Sequence, residues 1–326
     1  MKIIHKNSDL VEIDESRVLT EEKFYQLADV PPEMEWFANL ESPQTRRAYK
    51  NDISEFMQFT GIKRPEEFRV VTRAHVLAWR SILEERLLAG SSIRRKMAAL
   101  SSLFEYLCEK NAVSFNPVKG AKRPKVETNE GKTPAMSDQQ ARALLDAPDP
   151  ETLQGKRDRA MLSTFLFHGL RRDELCKLKV DDIHLRRGVP YLRVHGKGSK
   201  IRYVPLHPAT NGLLVDYLEA AGHENQFDSP LFLPIKDNIR DKDKIHGITA
   251  DGVYWLLKYY AKKANINIRG ICPHSLRATS ATNALDNNAD IAKVQEWLGH
   301  ANISTTRIYD HRKTRPEDSP TFKVHY

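Results

Sequence analysis

The chain has 326 residues, 40% of them hydrophobic and 29% charged, which excludes a disordered or fibrous protein and suffices for two folded domains. Fifty-one lysines and arginines against 43 acidic residues give a formal net charge of +8, an excess that favours a polyanionic partner by counterion release without establishing one. No stretch is apolar enough to span a bilayer, and Met1-Lys2-Ile3-Ile4-His5-Lys6 is too short an apolar run for a signal peptide, so the expected location is cytoplasmic.

Residues 1–31 hold Glu12, Asp14, Glu15, Glu21 and Glu22 and read as a loosely packed lead-in with room for one short helix. Residues 32–117 have helical periodicity and no strand pattern. Ser42-Pro43 is an N-cap followed by proline at the first helical position, and Tyr49, Ile53 and Phe56 then share one face. Val76, Trp79, Ile82 and Leu83 make a further helix. Another starts at Ser91 or Ser92 and aligns Ile93, Met97, Leu100, Phe104 and Leu107. Proline, glycine and lysine then break the periodicity, and residues 118–132 read as a linker.

A second domain, residues 133–310, opens with the capping-box pattern Ser137-Asp138-Gln139-Gln140. An apolar helix over 160–168 ends at Gly169, a C-terminal cap glycine. Strands at 190–195 and 200–206 flank Gly196-Lys197-Gly198-Ser199, a hairpin signal, and 231–233 is a further short strand. Helices resume over 249–266, with three shorter ones across 274–310. Pro316 and Pro320 keep the tail, 311–326, from continuing as helix. The fold class is therefore mainly α with a small β-sheet, an α+β protein.

The residues with chemistry lie in this second domain. His274 and Arg277 are three apart, so one helical turn presents both on one face, beside N-terminal amides that suit a phosphate. Arg171 follows the helix-ending glycine; it either answers the helix dipole or, held rigid by Glu174, grips two phosphate oxygens. Lys197 sits at the hairpin tip, either solvated or carried into a DNA groove to protonate a leaving oxygen. Its Gly-Lys-Gly is not a phosphate loop, because Tyr191 stands where that pattern needs glycine and Gly198 where it needs Ser or Thr. Tyr309 is a nucleophile only if a neighbour takes its proton or stabilises its anion. Asp181-Asp182 and Asp241 to Asp243 read as surface charges, not a metal site, and Cys108, Cys176 and Cys272 as buried small apolar residues in a reducing compartment. A phenol, two guanidiniums, an ammonium and two imidazoles without a carboxylate cluster suit attack on a phosphodiester with fixed cations and no metal or other cofactor.

Four segments, in order, resemble the tyrosine recombinase family of phage-integrase and Xer-like site-specific recombinases. Gly169-Leu170-Arg171-Arg172-Asp173-Glu174-Leu175 is similar to its first-arginine box, and Gly196-Lys197-Gly198-Ser199-Lys200-Ile201-Arg202-Tyr203-Val204-Pro205-Leu206 to its hairpin-lysine box. His274-Ser275-Leu276-Arg277-Ala278-Thr279 resembles its HxxR box, and Leu298-Gly299-His300 with Tyr309 its terminal box. The resemblance implies a helical SAM-like core-binding domain and a catalytic domain closing as a C-shaped clamp on duplex DNA. It also implies that Tyr309 forms a 3′-phosphotyrosine, that Arg171 and Arg277 hold the non-bridging oxygens, and that Lys197 is the general acid. His274 would assist proton transfer and His300 would bind the phosphate. Four protomers would act on paired inverted-repeat sites through a Holliday junction, in integration, excision or resolution, with or without an accessory protein or partner recombinase. The proline-interrupted tail, 311–326, would contact a neighbouring protomer in a manner unlike the helix of many relatives.

Arg46, Arg47 and Lys50, and Arg94, Arg95 and Lys96 on the side opposite the apolar stripe, are the expected phosphate contacts of the helical domain; as a plain solvated face they would do nothing. A catalytically silent architectural protein of the same fold would have lost a catalytic position, and none is lost. A topoisomerase-like relaxing enzyme would lack the paired site, and a metal-dependent nuclease would be inhibited by chelator.

Overall fold

The structure, a computed structural model, describes residues 32–125, 133–196, 200–235 and 246–310. The lead-in with its expected short helix, the tail with Pro316 and Pro320, Asp241 to Asp243, and the hairpin tip with Lys197 lie outside the described residues. The chain forms two compact units, Met1–Val126 and Glu127–Tyr326.

The first unit is helical: α1 (Pro32–Ala38), α2 (Pro43–Thr60), a 3₁₀ turn (Pro65–Val70), α3 (Arg73–Glu85) and α4 (Gly90–Glu109). Ser42 accepts the Thr45 N–H at the start of α2, satisfying a donor that has no helical partner. The apolar stripes converge on Phe56, Trp79, Met97, Leu100 and Phe104, with Phe56 and Trp79 edge to face at 5.1 Å. Ile82 falls on the solvent side of α3, 38% exposed, while Val76, Trp79 and Leu83 turn inward. The stretch read as linker begins as part of this unit: Val118 is 3% exposed, and the Lys119 and Lys122 carbonyls accept from Arg73 and Arg80.

The second unit contains α5 (Asp138–Asp146), α6 (Leu153–His168), α7 (Arg172–Cys176), β1 (Ile183–Arg186), β2 (Val189–His195), β3 (Ile201–Pro205), α8 (Pro208–Ala221), α9 (Ala250–Lys263), α10 (Pro273–Asp286), α11 (Ile291–Leu298) and α12 (Ser304–Arg307). The strands form one antiparallel sheet in the order β1-β2-β3. Leu192 pairs with Ile183 on one side and Val204 on the other, and Leu192, Val194 and Val204 face the core.

Several elements differ from the sequence reading. α6 begins seven residues before the apolar run because Arg157 and Asp158, both buried, satisfy each other (2.8 Å) and the Leu233 carbonyl and Tyr260 hydroxyl complete the network. β1 is additional; it turns into β2 through Arg187 and Gly188, both at positive φ, the geometry of a two-residue hairpin. Residues 231–233 form no strand: Leu231 and Phe232 plug the core, and only Pro230 makes an isolated bridge, to Lys179. α9 ends at Lys263, and α10 equals it at 14 residues.

α10 meets α6 through the small Ser280, which donates to the Phe165 and Leu166 carbonyls on α6, while Ala278 and Ala281 pack with Leu298 and Tyr309. That contact sets the base of the site.

Candidate active site

Gly169 ends α6 in the left-handed conformation (φ +57), and a Cβ there would lie 2.7 Å from Leu298 Cδ2. The missing side chain lets the end of α11 lie against the end of α6. Arg277, on α10 and wholly buried, enters this junction, its Nη1 donating to the Gly169 carbonyl (2.5 Å) and its Nη2 to the Leu298 carbonyl (2.7 Å). Both acceptors are at C-terminal helix ends, where carbonyls lack helical partners and the dipole favours a cation. Among the described residues Arg277 Nε is buried without a hydrogen-bond partner. Burial, with the charge of Arg171, brings the Arg277 pKa down to about 10, so the guanidinium stays charged.

Arg171 is the residue before α7. Its backbone N–H and Nη1 both donate to Glu174, at 2.8 and 2.7 Å, and its Nη2 donates to the Gly299 carbonyl at 3.2 Å. The pairing with Glu174 expected from their spacing is therefore present. A third guanidinium, unexpected from the sequence, lies behind it: Arg202 on β3 spans both Glu174 oxygens at 2.9 and 2.8 Å and donates from Nε to the Trp297 carbonyl at 3.1 Å. Burial alone would raise the Glu174 pKa, but the hydrogen bonds and charges of Arg202 and Arg171 outweigh it and hold the carboxylate at about 2.

The last carbonyls of α11 thus serve three arginines. Trp297 takes Arg202, Leu298 takes Arg277 and Gly299 takes Arg171. Three cations converge on neutral acceptors and one carboxylate, an excess of positive charge suited to an anion.

Tyr309 follows α12 and is 3% exposed; its hydroxyl lies 3.1 Å from His274 Nε2. Burial raises the phenol pKa, against the pull of Arg277 and Arg171, so the phenol carries its proton at neutral pH. Burial, then Arg277 and Arg171, lowers the pKa of His274, leaving a neutral imidazole able to accept that proton. His300 is held by Thr306, whose Oγ1 lies 2.9 Å from Nδ1, and its ring stacks near Tyr309 with centroids 6.3 Å apart. Burial, then the nearby arginines and His274, takes the His300 pKa down to about 4. Five of the six expected residues are brought together here; Lys197 is the one outside the described residues. The hairpin that carries it closes with Gly196 N–H donating to the Lys200 carbonyl at 2.7 Å. Arg202 and Thr306 were missed. Their signals were an arginine at a half-buried strand position and a threonine three residues before Tyr309.

Other expectations change. Lys96 is 8% exposed and bonds Asp52 at 3.0 Å and Glu55, while Arg95 also bonds Asp52. Expected as phosphate contacts, Arg95 and Lys96 form an ion-pair network around the buried Asp52 carboxylate. Arg47, Lys50 and Arg94 are exposed and Arg46 is half-buried. Asp182 is not a surface charge: it is 1% exposed and takes Arg193 at 2.7 Å and His195 at 3.1 Å. The three cysteines are free and half-buried. Among the described residues, no His, Cys, Asp or Glu group is clustered to hold a metal, and no helix is long and apolar enough to cross a membrane.

Residues 134–315 match the phage integrase family, and residues 35–111 match its N-terminal SAM-like domain. A tyrosine recombinase XerD of Listeria innocua serovar 6a is 34% identical over 271 residues, 83% of this chain and 88% of the relative. A tyrosine recombinase XerC of Herpetosiphon aurantiacus is 35% identical over 272 residues, 82% and 84% of the two chains. The fold is also that of a XerH site-specific recombinase bound to palindromic difH substrate (TM-score 0.62, 21% identity, covering 82% of this chain and 76% of that one). It is likewise similar to a lambda integrase tetramer bound to a Holliday junction (TM-score 0.64, 18% identity, 87% and 78%). The chain belongs to the phage integrase family of tyrosine recombinases and is a site-specific recombinase.

Proposed function

We propose that the enzyme cuts and rejoins duplex DNA through a 3′-phosphotyrosine at Tyr309. His274 takes the phenol proton as Oη attacks the scissile phosphorus; the bond to the 5′ oxygen breaks, and Lys197 protonates that departing oxygen to give a 5′ hydroxyl. Arg171 and Arg277 hold the non-bridging oxygens with the donors left free by their carbonyl anchors, and His300 adds a hydrogen bond. The phosphotyrosine keeps the phosphodiester bond energy, so rejoining needs neither ATP nor a metal. The observation that carries this reading is the buried Tyr309 hydroxyl 3.1 Å from His274, beside guanidiniums fixed on helix-end carbonyls.

The substrate in this reading is a pair of inverted-repeat sites in cytoplasmic DNA, held by four protomers and exchanged through a Holliday junction, for integration, excision or resolution. That assembly is supported by the relatives solved on a palindromic site and on a junction. Arg46, Arg47, Lys50 and Arg94 are proposed phosphate contacts of the helical unit, and the tail a contact between protomers; an accessory or partner recombinase fits the same scheme. The test is a nicked suicide substrate, incubated in chelator with wild type and Tyr309→Phe. A covalent protein–DNA band in wild type alone is expected. Binding to a verified site with no such band in wild type, any partner recombinase supplied, returns the chain to a DNA-binding role.

A further inference from the structure

We propose that Arg202 is a positioning residue of the recombination reaction: it occupies the far side of Glu174 and so fixes where Arg171 presents its free donors. This rests on the reading that Arg171 grips the scissile phosphate.

Three observations carry it. Arg202 is fork-to-fork with Glu174, 2.9 and 2.8 Å, and only 16% of its side chain and 4% of that of Glu174 are exposed. Arg171 uses the same carboxylate through its backbone and Nη1, so the two arginines divide one acceptor. Arg202 Nε reaches the Trp297 carbonyl, two residues before the Gly299 carbonyl that holds Arg171 Nη2, and a Cβ on Gly299 would lie 3.4 Å from Arg202 Cδ and Nη1. One side chain therefore ties the lysine hairpin, the first-arginine segment and the end of α11 together.

The consequence follows from donor and acceptor geometry. A lone carboxylate can take an arginine bidentately. Without Arg202, Glu174 loses its bidentate partner, and the Arg171 guanidinium, already on one oxygen through Nη1, would turn from the phosphate to take both. Arg202 blocks that alternative by filling it. Lysine cannot substitute, because one ammonium cannot span two carboxylate oxygens and a carbonyl with the geometry of a planar fork.

The test measures single-turnover cleavage of a suicide substrate by Arg202→Lys and Arg202→Gln, on a normal scissile phosphate and on a methylphosphonate that lacks the charged non-bridging oxygen. Site affinity and thermal unfolding are measured alongside. On phosphate, a loss on the order of tenfold to a hundredfold is expected, below the 10²–10³ for a donor that touches the reacting group itself. Site affinity should stay within about threefold, and the defect relative to wild type should shrink on the neutral substrate, because the misplaced arginine matters less there. Arg171→Ala serves as the reference and should show the same pattern with a larger loss. Equal losses on both substrates, wild-type rates on both, or a loss that tracks affinity or unfolding would overturn the role of Arg202. An Arg171→Ala enzyme that cleaves phosphate normally would instead overturn the reading of the site, whatever Arg202 does. If Arg202→Gln does not fold, the folded Arg202→Lys, which keeps the charge and loses the fork, decides.

Discussion

Two basic regions of this chain look alike in sequence and differ in what their charge is available for. In the helical unit, Arg95 and Lys96 meet Asp52 and Glu55, and the cations are spent on neighbouring carboxylates. In the catalytic unit, Arg171 and Arg202 share a single carboxylate, Glu174, and these two and Arg277 are anchored on the Trp297, Leu298, Gly299 and Gly169 carbonyls. A carbonyl fixes a guanidinium without neutralising it. Helix ends therefore do here what acidic partners do in the first unit, while leaving the positive charge for a phosphate.

The largest effect is expected from Arg277→Lys. It keeps the charge but cannot hold both carbonyls, and single-turnover cleavage should fall by at least 10²–10³. Lys96→Met should do the reverse. It should cost about 3 kcal/mol in chemical denaturation, because it strips a partner from the buried Asp52, yet leave the salt dependence of DNA binding unchanged. A lower salt slope in that variant would mean that Lys96 meets phosphate after all.

Acid titration separates the two kinds of anchor. Glu174 falls from 4.5 to about 2 on folding, so its stabilisation is complete above about pH 4.5 and is lost as the pH drops through about 2. Denaturation of Glu174→Gln should lack that part of the acid limb. His274 has a folded pKa below 6.5, so cleavage should hold as the pH falls to 6.5 and decline below it, as the acceptor of the Tyr309 proton becomes charged. A decline centred above 6.5 would point to another group. The smallest effect is expected from Arg94→Ala. Removing this one exposed cation should weaken binding uniformly across DNA sequences and lower the logarithmic salt slope by about 1.

Much of this was legible where a residue's role depends on its near neighbours. The Ser42 and Ser137 caps, the Gly169 helix end and the Arg171–Glu174 pair all act within three or four residues, and the structure contains each. What depended on distant partners was not legible. Lys96 follows Arg94 and Arg95 as a plain basic run until α2 brings Asp52 against it, and Arg202 is one more basic strand residue until α7 and α11 surround it. β1 stayed hidden for a local reason: its turn places Arg187, not glycine, asparagine or aspartate, at positive φ. The strand expected at 231–233 failed because a short apolar run that plugs a core has the same composition as one that pairs.

In the proposed reaction Tyr309, held against His274 beside cations that retain their charge, becomes covalently joined to DNA. Trapping the adduct on a suicide substrate, digesting both polymers and mapping the nucleotide remnant by mass spectrometry tests this directly. The remnant is expected on the peptide containing Tyr309, linked through a 3′ phosphate, with a free 5′ hydroxyl on the released strand. A remnant on any other residue, or a cleaved strand ending in a 5′ phosphate, would contradict it.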